Sequence, residues 1–227
     1  MKVSALCVDN GEELAVECLE SIRSQGVDEV VVVAGPRTDI ELVRRYADVV
    51  VGPISPVGWA RYVGLLKTSN RIVALCDTDT VYMEGYFKYA LEDFERLPWL
   101  AVVKAGSVEP HRPSLLGYLE SAIARVIGAF EYGWVVDKSK LLSAMTARYV
   151  EALKNPRADV GQVAYKLLLR SLVDHRMRVK TRLPTYYFEN YFTPAVGVAA
   201  PIAGVATMAL IGGLGERIKR ILSWKEQ

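Results

Sequence analysis

Two carboxylates spaced two residues apart follow a short apolar segment of the chain. Residues 72–76 (IVALC) are apolar, and Asp77 and Asp79 come directly after them. An apolar run of this length predicts a buried strand, in which residues i and i+2 point to the same side. Two converging carboxylates favour a divalent cation such as Mg²⁺ or Mn²⁺, which completes its coordination with water and phosphate oxygens. The spacing therefore predicts a metal-bound diphosphate, although Asp is also an ordinary turn residue after a strand.

The composition predicts one globular domain with a tail. The chain has 227 residues, of which 51% are hydrophobic, enough for one sizeable core, and its formal charge of +2 gives no reason to expect a nucleic-acid partner. Cys7, Cys18 and Cys76 lie in apolar segments without metal-ligand spacing, so we expect reduced core thiols. Residues 2–8 are too short for the core of a signal peptide, and the protein is expected in the cytoplasm.

Strands and helices alternate through the first eighty residues. Asn10 with Glu13 predicts the start of the first helix, and Thr38 with Glu41 predicts a capping box at the second. The alternation indicates βαβ units, and hence an α/β fold with a mainly parallel central sheet flanked by helices. The strands are predicted at residues 2–8, 29–33, 48–51 and 71–76.

Three of these predicted strands end in residues that could contact a ligand. Asp9 follows the first strand, Ala34 and Gly35 follow the second, and the Asp77 to Asp79 segment follows the fourth. In parallel α/β sheets, ligands bind outside the carboxyl ends of the strands. We therefore expect these segments to meet at one crevice.

Four segments also occur in the order and spacing of the motifs of an enzyme family. Their pattern resembles the family 2 glycosyltransferases, which have the Rossmann-like GT-A fold and transfer a sugar from a nucleotide diphosphate donor. The resemblance covers about residues 2–110 and extends more loosely to residue 190. The matching segments are DNGEE with CLESI at 9–13 and 18–22, AGPRTD at 34–39, GWARYVG at 58–64, and DTD at 77–79.

The resemblance implies specific site residues. Asp77 and Asp79 would bind Mn²⁺ or Mg²⁺. The family usually has an acidic residue that contacts the nucleotide base after the second strand, where this chain has Ala34, so the sequence does not choose between a UDP-sugar and a GDP-sugar. The residues implied in nucleotide-sugar binding are Val8, Asn10, Ala34, Arg61, Asp77 and Thr78.

The resemblance divides the chain into two halves of one GT-A domain and a tail. Residues 1–110 would bind the nucleotide sugar, residues 111–190 would form the acceptor side, and residues 191–227 would form an apolar C-terminal helical segment. Asp159 precedes a predicted helix at residues 160–175 and would be the catalytic base, although Asp is also an ordinary helix N-cap. Further helices are predicted at 81–98 and 115–130, and strands at 100–108 and 133–137.

The tail predicts contact with a membrane surface. Residues 190–215 carry no charge, and basic residues lie on both sides of them. Basic residues at both ends oppose a single crossing, so a hairpin broken at Pro201, at the cytoplasmic face, fits better. The alternative is that this segment packs on the enzyme's own sheet or on a second subunit of a homodimer.

The sequence thus predicts a metal-dependent inverting glycosyltransferase. The acceptor would be a polyprenyl phosphate, as in the polyprenyl or dolichyl-phosphate sugar transferases, or a glycan. Two alternatives stay open: a nucleotidyltransferase acting on a sugar phosphate, and a non-catalytic membrane-peripheral nucleotide-binding protein. An acidic segment after the first strand, at residues 9–13, argues against the nucleotidyltransferase, which usually has a glycine-rich basic loop there.

Overall fold

The structure, a computed structural model, describes residues 1–111, 117–118, 121–122, 133–156, 160 and 170–181. The chain divides into two compact units, Met1–Gly106 with Glu131–Val179 and Ser107–Phe130 with Lys180–Gln227. The residues of the candidate site discussed below belong to the first unit. The functional division at residues 110 and 190 stays a prediction.

Strands and helices alternate in the first half, as predicted. The strands are β1 Val3–Asp9, β2 Glu29–Ala34, β3 Val49–Val51, β4 Ile72–Asp77, β5 Thr80–Tyr82, β6 Val102–Pro110, β7 Trp134–Asp137 and β8 Ser171–Thr181. The helices are α1 Ala15–Arg23, α2 Ile40–Arg44, α3 Val57–Lys67, α4 Tyr86–Arg96, α5 Lys138–Ser143 and α6 Ala147–Ala152.

The eight strands form one mixed sheet in the order β3-β2-β1-β4-β7-β6-β8-β5. β1 lies between β2 and β4 and is parallel to both, and β3 is parallel to β2. β7 is antiparallel to its neighbours β4 and β6. The prediction of a mainly parallel sheet thus holds for the first four strands, and β7, which runs antiparallel to both of its neighbours, makes the sheet mixed.

The central strands are apolar on both faces because helices cover both sides. On one face, Leu6 and Val33 pack with Ala60 and Leu65 of α3 in the main core. On the other face, Cys7 of β1 lies beside Cys18 of α1, and both thiols are completely buried. This two-sided burial explains the near-continuous valine run of β2.

Gly64 allows α3 to approach the sheet closely. A Cβ at this position would collide with Cδ1 of Leu6 and would lie 2.8 Å from Cγ2 of Val33. Since real Cβ atoms do not come that near to other carbons, any larger residue requires the Leu6 and Val33 side chains or the helix to shift. The last glycine of the GWARYVG segment is therefore a packing residue.

Both predicted helix caps are displaced. α1 begins only at Ala15, because Gly11 has a φ of +79° and the Asn10 side chain faces Arg37 instead of a helix. α2 is capped by Asp39, whose Oδ1 accepts a hydrogen bond from the Leu42 amide at 3.0 Å. The Thr38 hydroxyl donates to the main-chain oxygen of Asp9 at 2.8 Å, so it ties two strand ends together.

Two strands were not predicted. β5 occupies Thr80–Tyr82, and α4 starts after it, behind Gly85 in the left-handed region with φ +82°. β8 occupies Ser171–Thr181, so the predicted helix at 160–175 is wrong for residues 171–175. Met177, Val179 and Thr181 are buried on alternate positions, a strand period that the charged residues between them obscured.

The predicted helix at 115–130 lies largely outside the described residues, and the predicted apolar tail at 191–227 lies wholly outside them. In the part of the chain that the structure describes, no helix combines the length and the hydrophobicity needed to cross a bilayer.

Candidate functional site

The carboxyl ends of β1, β2 and β4 meet at one edge of the sheet, as the sequence predicted. Val8 pairs with Asp77 of β4, and Asp9 pairs with Ala34 of β2. A Cβ on Gly35 would lie 2.6 Å from the Asn10 side-chain amide group and 3.0 Å from the Asp9 main-chain oxygen. Glycine is thus required where the loops after β1 and β2 touch.

Asp9 is a buried hydrogen-bond acceptor at this edge of the sheet. Its carboxylate is only 1% exposed, and it accepts hydrogen bonds from the Gly11 amide at 3.0 Å and from the Thr78 hydroxyl at 2.9 Å. The Thr78 hydroxyl also lies 3.2 Å from the main-chain oxygen of Val8. The side chains of Asp9 and Thr78 therefore form the floor that joins β1 to β4.

Asp77 and Asp79 project from this floor. Asp77 is the last residue of β4, its amide donates to the Tyr82 hydroxyl at 3.0 Å, and the chain then turns directly into β5. Asp77 and Asp79 are half-buried, whereas Thr78 between them is buried. Thr78 and Asp79 form the turn between β4 and β5, so the two carboxylates lie at the end of β4, and their position on one side of the chain stays a prediction.

Arg61 of α3 makes an ion pair with Asp77. The Nη2 atom of Arg61 contacts Oδ1 of Asp77, and the two side chains are 15% and 33% exposed. A guanidinium group also binds phosphate oxygens in a bidentate manner. The pair thus places a fixed positive charge beside the carboxylates, where a diphosphate would need one.

A second polar pair connects the loop after β1, which contains Asn10, with the loop after β2, which contains Arg37. The Asn10 side-chain oxygen, oriented towards the Arg37 guanidinium, accepts from Nη2 at 2.8 Å. Both residues lie at the same edge as Asp77, since β1, β2 and β4 are parallel and Asn10 and Arg37 follow the ends of β1 and β2. The role of Asn10 in binding a nucleotide sugar stays a prediction.

Ala34, at the end of β2, is buried as a whole residue. Its methyl group is fully buried, and its carbonyl oxygen accepts from the Ile54 amide at 2.8 Å. Gly52 has a φ of +129°, and a Cβ there would lie 2.5 Å from the same oxygen. The loop before α3 is therefore fastened to the end of β2, with no acidic group at position 34.

The cysteines form a buried cluster behind the carboxylates. Cys18 Sγ lies 3.4 Å from the Asp77 main-chain oxygen. A hydrogen bond with Cys18, together with burial, raises the pKa of Cys7, and burial raises the pKa of Cys18 and of Cys76. All three are free thiols, as predicted, and in their neutral form they are neither metal ligands nor nucleophiles.

Asp77 and Asp79 have the right chemistry for a hard divalent ion. In the described residues, no three His, Cys, Asp or Glu side chains are arranged to hold a metal ion. Magnesium-type sites need only one or two carboxylates when substrate phosphates and water supply the other ligands. The half-exposed oxygens of this pair fit such an open site, and a closed protein site is not expected.

The catalytic residue predicted from sequence, Asp159, lies outside the described residues. Sequence reasoning also missed a charged residue on the same sheet. Lys104 lies in the middle of β6 and is only 5% exposed, with its Nζ 4.4 Å from the centre of the Trp134 ring. A lysine between Val103 and Ala105 in an otherwise apolar strand was the available signal.

Comparison with solved structures relates the fold of the chain to known proteins. The chain matches the mannosyltransferase from Pyrobaculum calidifontis in complex with GDP-Man and Mn²⁺, with a TM-score of 0.60 and 17% identity, over 96% of this chain and 64% of that one. It matches TarS 1–349 of S. aureus with a TM-score of 0.58 and 18% identity, over 83% of this chain and 63% of that one. The chain has the fold of the GT-A glycosyltransferases.

A third structure of this fold is glucosyl-3-phosphoglycerate synthase from Mycobacterium tuberculosis in complex with Mn²⁺, UDP and glucosyl-3-phosphoglycerate. Its TM-score is 0.52 at 16% identity, over 90% of this chain and 79% of that one. The chain spans less than two thirds of the length of TarS 1–349 and of the mannosyltransferase. No family model and no curated protein sequence matches the chain.

Proposed function

We propose that the protein is a metal-dependent inverting glycosyltransferase that uses a nucleotide diphosphate sugar. The observation that carries the proposal is the pair of half-buried carboxylates, Asp77 and Asp79, at the carboxyl end of β4, with Arg61 beside them. The same fold binds GDP-Man with Mn²⁺ in the mannosyltransferase and UDP with Mn²⁺ in glucosyl-3-phosphoglycerate synthase. These relatives support the donor class and the metal.

Asp77 and Asp79 would hold Mn²⁺ or Mg²⁺, which would act as a Lewis acid and neutralise charge on the leaving nucleoside diphosphate. Arg61 would exchange part of its contact with Asp77 for a contact with a phosphate oxygen. Val8, Asn10, Ala34 and Thr78 would line the nucleoside side of the crevice. Since Ala34 is fully buried and Thr78 is turned inward to Asp9, these two residues would shape the crevice from beneath.

The acceptor oxygen would attack the anomeric carbon from the side opposite the diphosphate. The bond to the acceptor forms as the bond to the diphosphate oxygen breaks, which inverts the configuration. A sugar hydroxyl would lose its proton to Asp159 as general base. A polyprenyl phosphate, already ionised near neutral pH, would need no strong base. Action at the cytoplasmic face of a membrane and assembly as a homodimer belong to this proposal and rest on the tail sequence.

Calorimetric titration of UDP and GDP, with and without Mn²⁺, tests the donor site. We expect metal-dependent binding of one nucleotide by the wild type. Asp77→Asn and Asp79→Asn should each weaken that binding by about tenfold or more, because each loses one charged ligand. Glu41→Gln is the matched control, because its carboxylate lies on α2 with a 79% exposed side chain. Metal-independent binding, or none, would contradict the proposed site.

A further inference from the structure

The Tyr82 hydroxyl binds the main chain of Asp77. The described pairing of β4 with β7 ends at Leu75, which lies opposite Trp134. Two residues further along β4, the Asp77 amide donates to the Tyr82 hydroxyl at 3.0 Å, across the turn that joins β4 to β5. A tyrosine hydroxyl thus accepts the hydrogen bond that a strand carbonyl accepts inside a sheet.

Tyr82 is fixed through both its main chain and its ring. The residue is 2% exposed, its amide donates to the Ser21 hydroxyl at 3.1 Å, and its main-chain oxygen accepts from the Gln25 side chain at 2.9 Å. Its ring contacts those of Tyr86 and Phe87, with 4.9 Å and 5.8 Å between the ring centres. A side chain locked by packing in this way gives a rigid support to the group that it contacts.

The main-chain oxygen of Asp77 has a partner from the same side of the sheet. Cys18 Sγ lies 3.4 Å from that oxygen, and Cys18 belongs to α1, as does Ser21. The Asp77 carboxylate, by contrast, contacts Arg61 of α3. When Arg61 turns part of this contact to a phosphate oxygen, as the proposed function requires, the main-chain contacts with Tyr82 and Cys18 remain to keep the carboxylate in place.

Packing alone does not require the Tyr82 hydroxyl. Tyr86, in the same ring cluster, is fully buried, and its hydroxyl has no hydrogen-bond partner among the residues that the structure describes. Phenylalanine would fill either ring position without the cost of burying a hydroxyl. At Tyr82 the hydrogen bond from the Asp77 amide offsets that cost. The cluster therefore contains two buried tyrosines, of which Tyr82 is tied to the candidate metal site.

We propose that Tyr82 is a positioning residue of the metal site: by holding the main chain of Asp77, its hydroxyl sets the direction in which the Asp77 carboxylate meets Mn²⁺ or Mg²⁺. The inference rests on the proposed function and adds a residue to that same site. Tyr82 does not touch the metal and acts through Asp77. Substituting a residue that orients a metal ligand typically changes metal affinity by about 10–100-fold.

The test compares two substitutions that each remove one hydroxyl from the same cluster. In full-length protein with Mn²⁺ and the nucleotide that binds, UDP or GDP, Tyr82→Phe should weaken Mn²⁺-dependent binding by about tenfold or more in calorimetry. It should also change the electron paramagnetic resonance spectrum of the bound Mn²⁺, which responds to the arrangement of the ligands. Tyr86→Phe is the matched control and should keep the wild-type affinity and spectrum, because the hydroxyl that it removes has no described partner.

A measurement on the wild type needs no variant. Nuclear magnetic resonance follows the hydrogen exchange of the Asp77 amide with and without the Mn²⁺ nucleotide. Because the hydrogen bond to Tyr82 persists in the loaded protein, this amide should exchange no faster in the complex than in the free protein. Faster exchange on binding would show that the bond opens when the site is loaded. That result would overturn the inference even if Tyr82→Phe did not fold.

Two further results overturn the inference alone. In the first, Tyr82→Phe binds the Mn²⁺ nucleotide as the wild type does and gives the same spectrum, so that any fall in its melting temperature reports only a weakened turn. In the second, Tyr86→Phe loses as much affinity as Tyr82→Phe, which would assign the effect to packing of the rings. Failure of Mn²⁺-dependent nucleotide binding by the wild type overturns the proposed function and the inference together, so that titration is done first.

Discussion

Arg61 of α3 forms an ion pair with Asp77 of β4. This ion pair joins the second turn of α3 to the last residue of β4, and both side chains are partly buried. The first carboxylate of the proposed metal site therefore has a positively charged partner within the protein itself. A metal ion alone has to compete with the guanidinium, whereas a metal nucleotide offers Arg61 a phosphate in exchange.

This competition predicts opposite effects of one substitution. Arg61→Met should strengthen binding of Mn²⁺ alone, because Asp77 then lacks a competing cation, and should weaken binding of the Mn²⁺ nucleotide by about tenfold or more. Electron paramagnetic resonance of free Mn²⁺ measures the first quantity and calorimetry the second. Arg44→Met, in an exposed pair on α2, is the control. If both affinities fall together, Arg61 does not compete with the metal.

The floor beneath the carboxylates gives a prediction about stability. Asp9→Ala should lower the free energy of unfolding by about 1–3 kcal/mol, because the Gly11 amide and the Thr78 hydroxyl lose their acceptor. Thr78→Val should lower the free energy of unfolding by a smaller amount, since it removes only one of these two donors. Chemical denaturation of both variants and of the double variant gives the coupling energy. Strictly additive losses would show that the Asp9–Thr78 hydrogen bond contributes nothing to stability.

The first half of the fold was predictable because its signals are local. Residues 29–34 are almost all apolar, and a strand of this kind is buried on both faces whatever its neighbours. The apolar segment before Asp77 likewise predicted that Asp77 and Asp79 come at the end of a buried strand. Alternation of strands with helices then brought the ends of β1, β2 and β4 to one edge.

The rest depended on contacts between distant residues. Asn10 and Thr38 have the residue types of helix caps, yet Asn10 faces Arg37 and Thr38 bonds to Asp9 in the folded protein. β8 was missed because the exposed positions of its period-two pattern carry basic residues. Arg176 and Arg178 flank the buried Met177. Lys104 was missed because the sequence does not show that it pairs with Trp134, which lies thirty residues further along the chain.

Gly64 provides a prediction in which helix propensity and packing disagree. Gly64→Ala would stabilise an isolated helix by up to about 1 kcal/mol. Here it should instead destabilise the protein by about 1–3 kcal/mol, because the added methyl meets Leu6 and Val33. Thermal and chemical denaturation measure the change. Leu6→Ala makes room for that methyl, so adding Gly64→Ala to Leu6→Ala should cost much less than it does in the wild type. A cost that is the same in both backgrounds would contradict the close contact.

The last prediction concerns pH and lies away from the carboxylate edge. Asp93 of α4 is buried, and Arg176 of β8 reaches both Asp93 at 3.1 Å and Asp174 at 2.9 Å. Burial, a hydrogen bond with Asp174 and the Asp174 charge raise the pKa of Asp93 from 3.8 to about 6, against the opposing charges of Arg176 and Arg96. Hydrogen bonds from Arg176 outweigh burial and lower the pKa of Asp174. At neutral pH, both carboxyls are charged.

Between pH 3.8 and about 6, folded Asp93 binds more protons than unfolded Asp93 does. Its contribution to stability is therefore complete below 3.8 and is lost as pH rises through about 6, at most about 3 kcal/mol in total. Asp174 acts in the opposite sense, and its contribution is lost as pH falls below its ordinary pKa. Asp93→Asn should flatten the fall in unfolding free energy between pH 4.5 and 7, measured by urea denaturation at each pH. Glu92→Gln, which removes an exposed contact to Arg176, should leave that fall in place. A wild-type stability that rises steadily over the same interval would contradict the raised pKa of Asp93.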